Sequence, residues 1–541
     1  MRRRPVLTLI LLSCLTFFLG LGRQALTDGD EAYYAEASRE MVASGDWIEP
    51  HFNYEPRWEK PALYYWLTAS LYEVAGPGEA AARFWSALSG VGLVLLTFAI
   101  ARKYGDPIDA AWLSGAITAT CFGYFAEARL ALPDLPLTFC ITLTIWSALQ
   151  QRWALAGMAA GLGFMTKGPV ALIVPAIVVL PIWLRERTLG QIRWKAVGIG
   201  IVLFLVIGTP WYAVMAVQHG RAYLDSFFLG DNVQRFATHR FEGRTTNGWF
   251  YYVPILLGGL VPWTAYAATL LVTRLAGREA SGRRWRFSAD EWRLLLWGLM
   301  PLLFYSLSLG KQPRYILPVL PPLAILIARA IARRANAGHR QVSLSIATLL
   351  TAAFFIVAGF LLLRARPLFI NAYAAITSLG ISALFGWAAA MVVMTLRAQW
   401  SRLPRLMALA GATLLLTLQF GALAGARPEA VEQLAHLVRA YRVGDQQVGQ
   451  YRVFGRNAVF YLRFQQHKDL DTDSVAEFMG SPERVFLMIR ESDVPELRNL
   501  GLTARELGRV SYIDTANIKL RTLLSPDPAR DVETVLLVTN K

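Results

Sequence analysis

The sequence predicts an all-α polytopic membrane bundle of about thirteen transmembrane helices, followed by a small α/β domain. Three observations carry that expectation. Hydrophobic residues make up 55% of the 541-residue chain against 17% charged, with a positive mean hydropathy, a balance far too apolar for a soluble protein of this length. Apolar windows of roughly bilayer length recur from residue 5 to residue 424. After Gly425 the composition turns polar and short strand-like runs appear.

The opening MRRRPVLTLILLSCLTFFLGLG has the basic start and apolar core of a secretory signal. No small-x-small cleavage site follows it and further apolar spans do, so residues 5–22 are expected to form an uncleaved first helix. The next spans are expected at 81–101, 108–126, 132–150, 153–165, 169–185, 196–217, 250–273, 291–309, 314–332, 343–363, 371–396 and 404–424. The span 153–165 is short, and Gly157-x-x-x-Gly161-x-Gly163 at its start suits close helix packing.

Charge in the connecting loops sets the expected orientation. Arg2-Arg3-Arg4, Arg102-Lys103 and the basic stretches 185–195, 274–286, 333–340 and 397–405 all fall on one side of the spans, and arginine and lysine favour the cytoplasmic side. The N-terminus is then cytoplasmic, while residues 27–61, 218–249, 310–313 and the C-terminal tail are external. In a bacterial inner membrane that side is the periplasm. The same placement accounts for the formal charge of +16, because the arginines occupy short loops instead of covering one folded face, which speaks against nucleic-acid binding. Cys14, Cys121 and Cys140 lie in apolar runs without CxxC spacing or a histidine cluster, so neither a disulfide framework nor a zinc module is expected.

Residues 1–425 are therefore read as the membrane domain, with interfacial helices in the first external loop, about 28–79, and residues 426–541 as a periplasmic α/β domain. Its strands are expected at 448–454, 459–464, 485–489 and 535–538.

The first external loop packs nine carboxylates, His51, Lys60 and many aromatics just outside the lipid. A helix is expected over 31–44, ended by Gly45. Asp28 and Glu31 have capping-box spacing, and acids in a first helical turn interact well with the helix dipole, so Asp28, Asp30 and Glu31 have either a capping or a catalytic reading. In Glu59-Lys60-Pro61, proline suits a helix start, which would place Lys60 beside free backbone N–H groups, a place for phosphate; a snorkelling lysine among Trp58, Tyr64, Tyr65 and Trp66 is the alternative. Asp134 opens another span and is either an N-cap or a site acid. Lys167 lies between two spans, where a charge is costly unless paired or hydrated. Arg235, His239, Arg240 and Arg244 supply enough cations for a diphosphate or an anionic lipid, or form a solvated loop. Lys311 and Arg314 sit in a tight turn between spans. Acids and cations gathered on one membrane face point to acid/base chemistry on phosphate-bearing lipids.

These residues also carry a resemblance. Asp30-Glu31, Tyr34-Ala-Glu-Ala-Ser-Arg-Glu-Met41, Ala43-Ser-Gly-Asp-Trp47, Glu59-Lys-Pro61, Tyr65-Trp66, Met165-Thr-Lys-Gly168, Gln234-Arg-Phe236, Tyr251-Tyr-Val-Pro254, Met300-Pro-Leu-Leu-Phe304, Gly310-Lys311 and Tyr315-Ile-Leu317 occur in order over roughly residues 28–320. The chain resembles the bacterial inner-membrane transferases that move aminoarabinose from undecaprenyl phosphate to lipid A, within the C-type, protein-mannosyltransferase-like glycosyltransferases. The resemblance implies a donor sugar on a polyprenyl phosphate that enters from the bilayer, and lipid A or another envelope molecule as acceptor. It implies Asp30 as the acid of the catalytic centre, with Glu59 and Asp134 beside it, and Lys60 as a binder of the donor phosphate assisted by Arg235 or Arg244. Glu31, Tyr64, Lys167, Lys311, Arg314 and Tyr315 are expected to line the cavity.

One position departs from the family pattern. Asp231-Asn232 stands where the family has Glu-His, a histidine associated with a bound metal, and asparagine is a poor zinc ligand. No cofactor is required by the expected chemistry; a divalent metal would have Glu59 as its candidate ligand. Alternatives are the same transfer to a protein or polysaccharide acceptor, and a lipid or sugar-phosphate transporter. Against transport stand the lack of paired inverted repeats with broken helices and the clustering of polar groups on one side.

Overall fold

The computed structural model describes residues 4–237, 248–275, 287–336, 341–369, 373–425, 427–513 and 518–541. Each expected span coincides with a helix or with a helix broken once. Among the described residues five helices are long and apolar enough alone to cross a membrane: Glu79–Lys103, Pro313–Ala335, Val342–Arg364, Ala374–Leu396 and Trp400–Leu423. The pair Trp194–Gly208 and Pro210–Gln234, bent by 47°, adds a sixth. The remaining spans are shorter or interrupted, and the breaks have local causes. Pro210 stands at one of them, and Cys121 takes an extended conformation between Ile108–Thr120 and Phe122–Ala128.

Small residues set the closest helix packing. A Cβ on Gly157 would lie 2.0 Å from the Gly200 carbonyl oxygen, so the helices Trp153–Lys167 and Trp194–Gly208 meet backbone to backbone, as the glycine spacing predicts. Buried arginines tie the chain ends of helices to their neighbours. The Arg129 guanidinium donates to the carbonyls of Thr16, Phe17 and Leu19 and to Gln419 Oε1, which satisfies acceptors left open where Pro5–Phe18 ends.

The segment between the first two spans begins with the helix Asp30–Ser44, stopped by Gly45 at φ 74°, whose N–H donates to the Met41 carbonyl. The capping box expected at its start does not form: Gly29 is the N-cap residue, with no side-chain cap. Asp28 instead accepts the backbone N–H groups of Arg456 and Asn457, at 2.8 and 3.1 Å, and so serves a helix of the C-terminal region. A short hairpin follows, β1 (His51–Phe52) and β2 (Glu55–Pro56), and then the helix Leu63–Ala75, which starts two residues after Pro61 with Ala62 as its N-cap.

The C-terminal region builds one five-stranded mixed sheet from β3 (Val448–Tyr451), β4 (His467–Leu470), β5 (Phe486–Arg490), β6 (Arg505–Tyr512) and β7 (Glu533–Thr539), in the order β4-β3-β5-β7-β6. β3 runs parallel to β4 and β5; β7 is antiparallel to β5 and β6. Residues expected as a strand at 459–464 form the helix Asn457–Leu462 instead. Their aromatic and β-branched composition suits burial, and packing decides the geometry: Phe460 and Tyr461 join Leu26, Ala35, Tyr72 and Ala82 of the membrane-side elements in one apolar cluster. The hairpin is held as well, because Asn53 and Gln466 exchange two hydrogen bonds of 2.9 Å each. The sheet region is thereby seated on the segment between the first two spans.

Candidate active site

Asp134 is the first residue of the helix Asp134–Leu149 and is buried. Its Oδ1 accepts from Lys167 Nζ at 2.6 Å, and its Oδ2 lies 3.3 Å from Arg314 Nε. Lys167 ends the helix Trp153–Lys167, and its ammonium stands 4.7 Å from the centre of the Tyr315 ring, a cation–π contact. The pairing that a lysine between two spans requires is therefore supplied by Asp134. Arg314 reaches the other way as well, with Nη2 donating to Asp30 Oδ2. One chain of charges, Lys167, Asp134, Arg314 and Asp30, thus joins four distant segments.

A second pair faces the same space. Lys60 Nζ donates to Asp231 Oδ2 at 2.9 Å and to the Glu59 carbonyl at 2.8 Å. Asp231 sits in a π-helical stretch, Asp225–Gln234, a geometry frequent at functional sites. Between the two pairs lies a cavity of about 500 Å³ lined by Lys60, Asp134, Lys167, Asp231, Arg314 and Tyr315 on its polar side. Its remaining wall includes Leu137, Ile173, Phe227, Phe228 and Phe304. Three cations beside an aromatic and aliphatic wall suit a molecule with an anionic head and an apolar tail.

Asp30 does not line the cavity itself; its partner Arg314 does. Its carboxylate is about one-third exposed, at 37%, and it also stands 3.6 Å from Arg456 Nη1. Burial pushes its carboxyl up, but Arg314, then Arg456 and more distantly Arg57, outweigh that and hold it below the ordinary carboxylate range. Asp30 is therefore an ionised, weakly basic group at neutral pH.

Four expected site residues are placed elsewhere. Glu31 is sealed against Arg83 at 2.6 Å, and Arg83 also donates to the Leu21, Gln24 and Ala25 carbonyls, so this acid clamps helix ends instead of lining the cavity. Tyr64 is buried against Tyr34, with its hydroxyl on the Ala82 carbonyl and Ser86 Oγ. Glu59 turns to Arg57, at 2.5 Å. Lys311 donates to the Ser308 carbonyl within its own turn and does not line the cavity. The Arg235 side chain and all of Arg244 lie outside the described residues.

Among the described residues the candidate ligands do not form a set that fits a metal ion. Glu59 is engaged by Arg57, and Asn232 spends its amide N–H on the Phe227 carbonyl at 2.8 Å. Among the described residues no three His, Cys, Asp or Glu side chains converge as ligands. Three relevant groups escaped the sequence reading: Asp231 as the partner of Lys60, Arg456 beside Asp30, and Glu127. Among the described residues Glu127 has one buried carboxylate oxygen without a hydrogen-bond partner, and it acts electrostatically on Arg314. Only Asp231 had a signal, its place in the string before Gln234-Arg-Phe236.

The chain matches the Dolichyl-phosphate-mannose-protein mannosyltransferase family over residues 7–222. It is 35% identical over 352 residues to an undecaprenyl phosphate-alpha-4-amino-4-deoxy-L-arabinose arabinosyl transferase 2 of Pseudomonas fluorescens strain Pf0-1, with 62% of this chain and 61% of that protein aligned. To the corresponding arabinosyl transferase of Erwinia tasmaniensis it is 31% identical over 405 residues, covering 71% of both chains. The chain belongs to this arabinosyl transferase family. It spans 61% of the length of the Pseudomonas fluorescens family member. The arabinosyl transferase fold extends over nearly all of it: the crystal structure of ArnT from Cupriavidus metallidurans bound to undecaprenyl phosphate superposes with a TM-score of 0.74 over 99% of this chain and 98% of that one, at 22% identity. The fold class is accordingly the family's all-α membrane bundle with a small α/β C-terminal part, and the protein is a multi-pass membrane protein.

Proposed function

We propose that this protein transfers an aminoarabinose-like sugar from undecaprenyl phosphate to lipid A or a related envelope acceptor. The single observation that carries the reading is the cavity in which Lys60, Lys167 and Arg314 meet an aromatic and aliphatic wall beside Asp134. Family membership supports it, and the named relatives are undecaprenyl phosphate-aminoarabinose transferases. The proposed setting is the bacterial inner membrane, with the N-terminus cytoplasmic and the mouth of the cavity in the periplasm. Residues 1–425 form the transferase part and 426–541 a periplasmic unit.

In this reading the donor phosphate exchanges with Asp231 on Lys60, assisted by Arg235 or Arg244, and the polyprenyl chain lies along the Phe227, Phe228 and Phe304 wall. An acceptor oxygen attacks the anomeric carbon, the bond from that carbon to the phosphate oxygen breaks, and undecaprenyl phosphate departs. Charge grows on the departing phosphate, where fixed cations in a site of low water content stabilise it most. The low basicity of Asp30 fits a steering and electrostatic role toward the sugar's developing positive charge, and it is sufficient if the acceptor is a phosphate monoester, which needs no strong base. Asp134 holds Lys167 and Arg314 in place. The displacement written this way requires no metal. Direct displacement inverts the anomeric centre.

The test is transfer by purified protein in detergent from undecaprenyl phosphate-aminoarabinose to lipid A. A new glycoside with inverted configuration is expected. Retained configuration overturns the direct displacement, and a donor left intact under conditions where the protein is folded overturns the reading.

A further inference from the structure

Asp30 is held from two directions by cations of different origin. Arg314 belongs to the turn Pro313–Val319 of the membrane bundle and lines the cavity. Arg456 belongs to the C-terminal region, immediately before the helix Asn457–Leu462. Its guanidinium carbon lies 5.1 Å from the Tyr33 ring centre, its Nη1 lies 3.6 Å from Asp30 Oδ1, and its side chain is 41% exposed. Backbone and side chain of Arg456 have separate tasks. The N–H groups of Arg456 and Asn457 are fixed by Asp28 Oδ1, and Asn457 Nδ2 donates to the Leu26 carbonyl at 3.0 Å. That anchoring leaves the guanidinium to face Asp30, beyond hydrogen-bond reach yet within strong electrostatic range.

We propose that Arg456 is a positioning residue for the transfer reaction: the C-terminal region completes the catalytic centre by holding the Oδ1 side of the Asp30 carboxylate while Arg314 takes Oδ2. The inference rests on Asp30 being the catalytic acid of the proposed function. A seat for the sheet region alone would need Asp28, Asn457, Tyr461 and the Asn53–Gln466 exchange, none of which requires a cation 3.6 Å from Asp30. The cations that act on Asp30 are Arg314, Arg456 and Arg57, so removing one of three leaves the site assembled but alters the ionisation of its acid.

The experiment follows kcat and KM against pH for the full-length protein, its Arg456→Gln and Arg456→Lys variants, and Asp30→Asn. Arg456→Gln is expected to move the acid limb of the kcat profile toward higher pH by about one pH unit. Turnover then falls several-fold only at about pH 4 and below, the ordinary carboxylate range, and stays at the unmodified level at neutral pH and above, with the KM for the donor unchanged. Arg456→Lys restores the acid limb. A profile for Arg456→Gln lowered equally at all pH values, or one coincident with the unmodified protein, overturns the inference. Should Arg456→Gln fail to fold, a lysine variant whose acid limb matches the parent supports the inference, and a shifted limb overturns it. Full turnover in Asp30→Asn instead overturns the underlying reading of Asp30.

Discussion

Asp30 and Glu31 are consecutive, and each meets an arginine from a distant segment, yet the two pairs do different work. Glu31 and Arg83 each keep only 1% of their side-chain surface exposed, and every acceptor of the clamp is internal to the fold. Asp30 keeps 37% of its surface and shares Arg314, which lines the cavity, with Asp134. The difference teaches that the same ion-pair chemistry is a structural bolt when it is sealed and saturated, and leaves a carboxylate within reach of a bound molecule when one face remains open.

Breaking each pair should separate the roles. Asp30→Asn keeps the shape and is expected to lower turnover by about 10²–10³-fold with little change in melting temperature, measured by glycoside formation beside thermal unfolding in detergent. Glu31→Ala leaves Arg83 buried without its partner, at a cost of about 3–5 kcal/mol, read as a large drop in melting temperature; unchanged stability would remove the bolt. Lys60→Ala is expected to weaken donor binding by about 10–100-fold, the scale of a charge-assisted hydrogen bond to phosphate, with a smaller change in kcat. Equal donor affinity would detach Lys60 from the phosphate.

The smallest effect concerns a third acid of the same helix. Glu40 is buried beside Glu36 and accepts the Tyr54 N–H at 3.0 Å, and burial, then Glu36, push its carboxyl up to about 8. A carboxyl raised in the folded state favours folding only while it is protonated, so its contribution is full below its unfolded value and is lost as pH rises toward 8. Glu40→Gln should flatten the fall in stability between about pH 4.5 and 8. A variant as pH-sensitive as the parent would show that the group does not titrate there.

The helices were legible because each needs only a local apolar run, and every expected span has its counterpart. The motif strings and the resemblance brought Asp30, Lys60, Asp134, Lys167, Arg314 and Tyr315 forward, and the fold brings them around one cavity or one residue from it. What sequence could not give is which acid meets which base. Arg314 and Asp30 are 284 positions apart, and Glu31 and Arg83 are separated by 52, so tertiary packing alone sorts the partners. The helix Asn457–Leu462 was hidden for the same reason. Its composition favours a strand, yet it is helical where it packs against the segment between the first two spans.

The central claim is that Lys60 and the Asp30–Arg314–Asp134 chain flank one donor site. A structure of the protein with an unhydrolysable undecaprenyl phosphate-sugar analogue tests it most directly. The account predicts the phosphate within hydrogen-bond distance of Lys60 Nζ, Asp231 displaced from that lysine, the polyprenyl chain along Phe227, Phe228 and Phe304, and the anomeric carbon on the Asp30 side. A phosphate bound elsewhere, with the Lys60–Asp231 pair intact, would contradict it.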